Sequence, residues 1–269
     1  QDLGAGTLIG PDDHCSPSLV IVSTPPDVAD ICVVDALIRY PEAVVSDVAS
    51  VKLAVLEGVV EEAERRGLDI TSRYVGSHPM AGRERSGAGA ADADLFYGRP
   101  WVIVPSPTSS PDAVMRIRSL AGDVGAFPIE MDASTHDQSV ALISHVPQLV
   151  SSMLAARLAD APVSALSLSG QGLRDTTRIA ASDPRLWTAI LAGNAGPVVK
   201  VLKDIRGDLD DLISHLDAAA QEGALEGGSV GAVYRVMDQG NRGVARIPGK
   251  HGGAPTRYVV LDVFVPDTA

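Results

Sequence analysis

The residues in this sequence best suited to chemistry surround one histidine. The segment Gly76-Ser-His-Pro-Met-Ala-Gly82 holds His78 between glycines and a proline, directly after the apolar pair Tyr74-Val75. A histidine fixed on such a turn can serve as a general base or a polarising hydrogen-bond partner near neutral pH. A second constellation is His136-Asp137, followed by Ser144-His145-Val-Pro147-Gln148. Ser144 and Gln148 are one helical turn apart and therefore share a face. Pro147 has no N–H for the Ile143 carbonyl, so a helix running through it must deform there and can form a pocket floor. The third is Arg174-Asp-Thr-Thr-Arg178, two guanidinium groups one turn apart that suit a carboxylate clamp. Ser182-Asp183-Pro184 then reads as the start of the next helix.

These side chains must be carried by a scaffold, and the first half of the chain predicts one. Ser18–Thr24 is a continuous apolar run of the kind that marks a strand buried on both faces. Ala43–Val45, Tyr74-Val75, Pro100–Val104 and Phe127–Met131 read as further strands. Asp27–Arg39, a segment from Ser50 as N-cap to Arg66, and Pro111–Ala121 read as the helices between them. This alternation predicts an α/β fold built on a parallel, doubly wound, Rossmann-like sheet. Ligands of such sheets bind beyond the carboxyl ends of the strands. Three of these strands end in polar residues: Ser23-Thr24, Ser46-Asp47 with Ser50, and Ser77-His78.

From Asp132 onward the strand signals stop, and Ser134–Leu158, Ala180–Leu191 and Ala195–Ala220 read as helices. In the last, Val198, Leu202, Ile205, Leu209, Leu212 and Leu216 recur at spacings of four and three. Such a seam suits helix packing, within one chain or between two subunits. Gly223 to Gly253 reads as a glycine-rich linker, and Tyr258–Val265 as one more strand.

Composition narrows the partners. The 269 residues carry 34 acidic against 22 basic side chains, a net charge of −12, which argues against a nucleic-acid or anionic-membrane partner. No apolar run approaches the roughly 20 residues of a bilayer span. Two cysteines make no disulfide framework, and no Cys/His cluster has metal-ligand spacing. The expectation is a cytoplasmic protein without a metal. Gly4-Ala-Gly6-Thr-Leu-Ile-Gly10 looks like a phosphate loop but is rejected. No strand precedes it, and Pro11-Asp12-Asp13 sets carboxylates where a helix N-terminus should receive the anion.

In order along the chain, Asp47-Val-Ala-Ser50-Val-Lys52, Gly76-Ser-His78-Pro-Met-Ala-Gly82-Arg-Glu84-Arg-Ser-Gly87, Ser144-His145-Val-Pro147 and Asp175-Thr-Thr-Arg178-Ile-Ala-Ala-Ser182-Asp183-Pro-Arg-Leu-Trp187 resemble the prephenate/arogenate dehydrogenases of tyrosine biosynthesis. The resemblance spans about residues 15–220. It implies oxidative decarboxylation, with NAD or NADP taking hydride from the ring carbon that bears the hydroxyl. It also implies a homodimer formed through the helical domain. On these matches His78 draws off the hydroxyl proton, while Ser50 orients that histidine and the nicotinamide. Arg178 grips a substrate carboxylate, and Ser144 and Gln148 line the pocket. Glu84, Asp175 and Trp187 surround its mouth, and Thr24 and Pro25 adjoin the cofactor.

Two departures accompany the resemblance. Gln148 stands where many prephenate-specific members have a second histidine, which makes arogenate an alternative to prephenate. The family's amino-terminal strand–glycine loop–helix–strand precedes the match. Residues 1–131 are therefore expected to be an incomplete dinucleotide-binding domain, 132–222 a helical substrate and dimerisation domain, 223–257 a linker, and 258–269 the first strand of an ACT-like domain. A chain cut at both ends in this way is expected to bind cofactor weakly, and a non-catalytic dimerisation fragment is the reading from a different class. A β-hydroxyacid-type dehydrogenase is disfavoured, because such enzymes use a helical-domain lysine and Ser134–Leu158 contains none.

Overall fold

The computed structural model describes residues 6–10, 14–69, 71–82, 91–222 and 227–248. Along the chain run β1 (Leu19–Val22), α1 (Ala29–Arg39), β2 (Val44–Asp47), α2 (Leu53–Arg65), β3 (Val75–Pro79), β4 (Pro100–Pro105), α3 (Pro111–Asp123) and β5 (Phe127–Glu130). Helices follow: α4 (Ala133–Val140), a π-helical turn (Ala141–His145), α5 (Val146–Ala156), α6 (Val163–Leu166), α7 (Gln171–Thr177), α8 (Pro184–Gly193), α9 (Ala195–Glu222) and α10 (Gly227–Val244).

β1 and β2 pair in parallel, and a parallel bridge from Val45 to Tyr74 continues the sheet towards β3. Successive residues of a strand face opposite sides, and β2 uses both. Val45 packs into a core with Val33, Val34 and Leu37 of α1 and Val55 and Val59 of α2. Val44 packs on the other side with Val75, Ile103 and Ile117 of α3. Burial on both faces is why these strands read as unbroken apolar runs.

The expectation of an all-parallel sheet needs one correction. β3 and β4 pair antiparallel, with His78 opposite Val102, while β4 and β5 are parallel. Parallel neighbours need a crossover, usually a helix, whereas antiparallel neighbours can be joined by a loop. The described residues between β3 and β4 are turns and carry no helix.

One further expectation is revised. The 223–257 stretch is not simply a linker, because α10 occupies Gly227–Val244. Its apolar side chains, spaced by three and four among the glycines, give it one packing face. By packing, the chain forms two units, 1–201 and 202–269. In the first unit, α4 and α5 are anchored to the α/β layer by buried polar bonds described below. The described residues of the second form an αα-hairpin in which Ser229 Oγ donates to the His215 carbonyl at 2.8 Å and Ala219 and Ala232 are buried. Along α9, Ile205, Leu209, Ile213 and Leu216 are exposed, as are Val230, Tyr234 and Met237 of α10. The apolar stripe of α9 thus stays exposed at these four positions among the described residues. The proposed strand 258–269 and Gly4–Ala5 lie outside the described residues.

By length and composition the helical stretch Ala133–Ala156 would suffice to cross a membrane. It contains buried His136, Asp137, His145 and Gln148, however, and forms a wall of the cavity described next.

Candidate active site

Beyond the carboxyl end of β3, the π-helical turn, the start of α5 and the segment 178–190 enclose a cavity of about 490 Å³. Its lining includes Ser50, His78, Ser144, Gln148, Arg178 and Trp187. Residues from four separate motifs therefore meet in one place.

The π-helical turn shows how Pro147 acts. Proline is the second residue of α5, and the deformation it demands is taken up by widening the helix over the preceding five residues, Ala141–His145. The widened turn presents Ile143, Ser144 and His145 to the cavity.

The loop that carries Ser50 is held by a buried ion pair. The Asp47 carboxylate, at the end of β2, accepts hydrogen bonds from the Lys52 ammonium, the Tyr74 hydroxyl (2.7 Å) and the Ala49 N–H (2.9 Å). Lys52 also donates to the Ser77 carbonyl at 2.8 Å, tying this loop to the residue before His78. Both charges are at most 1% exposed. Burial lowers the Lys52 ammonium from its ordinary pKa, and Asp47 opposes that shift. Burial, then Asp47, pushes the Tyr74 hydroxyl well up, so it remains a donor. Gly76 allows a close approach here: a Cβ would lie 3.3 Å from both the Tyr74 hydroxyl and the Val104 carbonyl.

Ser50 is not the N-cap of α2, because that place is filled from 85 residues away. Asp137 Oδ1 accepts from the Lys52 N–H (2.9 Å) and Oδ2 from the Leu53 N–H (3.0 Å). A carboxylate suits the positive end of the helix, and this frees the Ser50 side chain to face the cavity.

His78 is held by His136 rather than by Ser50. His78 Nδ1 lies 2.9 Å from His136 Nε2, and His136 Nδ1 lies 2.7 Å from Asp137 Oδ1. Burial, and then the nearby His136, Lys52 and His145, lower the His78 pKa well below its ordinary 6.5. His145 is pushed down to about 4, mainly by burial. Its Nδ1 accepts from the Asn194 amide at 3.0 Å, and its ring meets Trp187 edge-on at 6.0 Å. At neutral pH both imidazoles are uncharged, so Arg178 is the permanent cation among the described lining residues.

Other expectations fare differently. Arg174 does not join Arg178 in a clamp, because its guanidinium turns back to the Ser169 carbonyl at 3.5 Å. Asp175 accepts from Gln171 at 2.7 Å and lies off the lining of this single chain. Glu84 lies outside the described residues. Asp137, which the sequence singles out beside His136, supports the site together with Lys52, Tyr74 and Asn194, to which sequence reasoning gave no role. A lysine between Val51 and Leu53, five residues after an aspartate, was the available signal.

For a dinucleotide, the nicotinamide end fits. Thr24 and Ser50 lie beyond the carboxyl ends of β1 and β2, and His78 is the penultimate residue of β3. The Thr24 Oγ1 is buried with no hydrogen-bond partner, a polar group available to a cofactor amide or ribose. Thr24, Pro25 and Ser50 are the residues that would hold that end.

Comparison with known proteins agrees with this architecture. Residues 12–130 match the family model described as prephenate dehydrogenase, nucleotide-binding domain, and residues 132–227 match prephenate dehydrogenase, dimerization domain. The chain is 34% identical to the probable prephenate dehydrogenase NovF of Streptomyces niveus, over 98% of this chain and 71% of that protein. It spans 61%, 58% and 55% of three other curated relatives. A crystal structure of prephenate dehydrogenase from A. aeolicus, in complex with hydroxyphenyl propionate and NAD+, is 25% identical with a TM-score of 0.69, over 83% of this chain and 76% of that one. Synechocystis arogenate dehydrogenase is 29% identical with a TM-score of 0.65, over 84% and 77% respectively.

Proposed function

Since the chain belongs to the prephenate dehydrogenase family, whose members are NAD(P)-dependent oxidoreductases, we propose that it catalyses the oxidative decarboxylation of prephenate to 4-hydroxyphenylpyruvate in the cytoplasm. The observation that carries this reading is the convergence of His78, Ser50, Ser144, Arg178 and Trp187 on one cavity. A bound NAD(P)+ supplies the hydride acceptor. His78 takes the ring hydroxyl proton as hydride leaves the same carbon. The electron pair of the bond to the departing carbon dioxide completes the aromatic ring, and His78 returns its proton to the phenolate oxygen. Arg178 would hold a substrate carboxylate, Ser50 would orient the nicotinamide beside the base, and Trp187 lines the cavity.

Gln148 supports a second substrate. Its neutral amide donates to Ser152 at 3.4 Å and offers no charge to the side-chain carboxylate of prephenate. The amino-acid side chain of arogenate, which carries its own ammonium, suits that wall as well. Incubating the full-length protein with each substrate and with NAD+ or NADP+, and following reduced nicotinamide, tests both readings. Absence of reduction in all four combinations overturns the enzymatic assignment.

The exposed stripe of α9 supports a homodimer. Glutamate at both Leu209 and Ile213 is expected to yield monomers or insoluble protein on size exclusion with light scattering. A soluble dimer with normal activity would show that the stripe faces elsewhere.

A further inference from the structure

We propose that His136, anchored by Asp137, is a positioning residue that fixes which nitrogen of His78 is free to take the substrate proton. Donors and acceptors alternate along one buried line. Asp137 already receives two backbone N–H groups, from Lys52 and Leu53, so its carboxylate acts on His136 as an acceptor. His136 Nδ1, 2.7 Å away, must therefore carry the hydrogen. A neutral imidazole protonated at Nδ1 has an acceptor at Nε2. With His136 in that neutral form, this atom, 2.9 Å from His78 Nδ1, accepts from it and places the His78 hydrogen on Nδ1. Its Nε2 is then left unprotonated, as a base requires. His136 and Asp137 are 1% and 2% exposed, so water does not compete for these bonds.

The anchor has a second consequence. The carboxylate that sets the His136 hydrogen also caps α2, directly after the loop that presents Ser50. Base tautomer and placement of the cofactor-side hydroxyl thus share one support. Asn194 strengthens it, donating to the Asp137 carbonyl at 2.8 Å and to His145. The groups facing His78 are His136 from α4, Lys52 before α2 and His145 from the π-helical turn.

The inference rests on His78 as the base, and its test separates the two. In the full-length enzyme, His136→Leu is expected to lower kcat about 10–100-fold, a fraction of the roughly 10²–10⁴-fold contribution of a general base. The substrate KM should change less than about threefold, because neither residue grips a carboxylate. His136→Gln keeps an acceptor for the His78 N–H and is expected to retain at least about tenfold more turnover than the leucine variant. Nitrogen-15 NMR of the histidines in the unmutated enzyme, which does not depend on turnover, should show His78 protonated at Nδ1 and bare at Nε2. The opposite tautomer, or equal losses in properly folded Gln and Leu variants, overturns the positioning role. Neither outcome bears on whether His78 itself is needed, which the alanine variant of His78 decides. Should the leucine variant fail to fold, the tautomer measured in the unmutated enzyme decides the proposal.

Discussion

Replacing His78 with alanine is expected to lower kcat by about 10²–10⁴-fold, the usual contribution of a positioned general base, while substrate affinity changes little. The reason is geometric. His78 sits on the wall of the cavity at the end of β3, with its Nδ1 engaged by His136. Its chemistry is spent on the departing hydroxyl proton rather than on holding the substrate. Steady-state kinetics with saturating cofactor checks this, and near-normal turnover would remove His78 from the reaction. The pH profile supplies a second check. Burial and the facing His136, Lys52 and His145 all disfavour the protonated ring. A base must be neutral to act, so the acidic limb of kcat/KM is expected below pH 6.5. A limb at or above that value would contradict the environment described.

Arg178→Ala is expected to act on binding instead. A charge-assisted pair to a carboxylate contributes about 1.5–3 kcal/mol, equivalent to a rise of roughly 10–150-fold in KM. No second guanidinium among the described lining residues can replace it, since Arg174 is turned towards the Ser169 carbonyl. The neutrality of His145 strengthens the dependence on Arg178. An unchanged KM with both prephenate and arogenate would exclude Arg178 from the site. Arg178→Lys keeps the charge but loses the planar fork, so it should fall between alanine and the unmutated enzyme.

Much of the scaffold is legible because it follows from short-range rules. Unbroken apolar runs mark strands buried on both faces, and Val44 and Val45 do face opposite cores. Ser110 before Pro111 and Asp183 before Pro184 announce helix starts, and both side chains accept hydrogen bonds from the first turn. Pro147 announces a broken helix, though only the structure shows that the break is a π-helical turn. The antiparallel pairing of β3 and β4 was not legible, because strand direction depends on the path of the connection and not on the strand's own residues. α10 was missed because glycines masked a packing face.

For the site, the sequence by itself determined the reactive groups: a histidine on a rigid turn, a serine after β2, an arginine before α8 and a proline that opens a helix. These are local choices of residue type, readable one segment at a time. Tertiary structure alone decided how they are supported. Asp137 caps a helix that begins 84 residues earlier, and His136, which it anchors, meets a histidine 58 residues before it. Hydrogen bonds of such sequence separation leave no periodicity to read. Whether Asp137 is a solvated surface carboxylate or the anchor of a buried line depends on what the fold brings beside it.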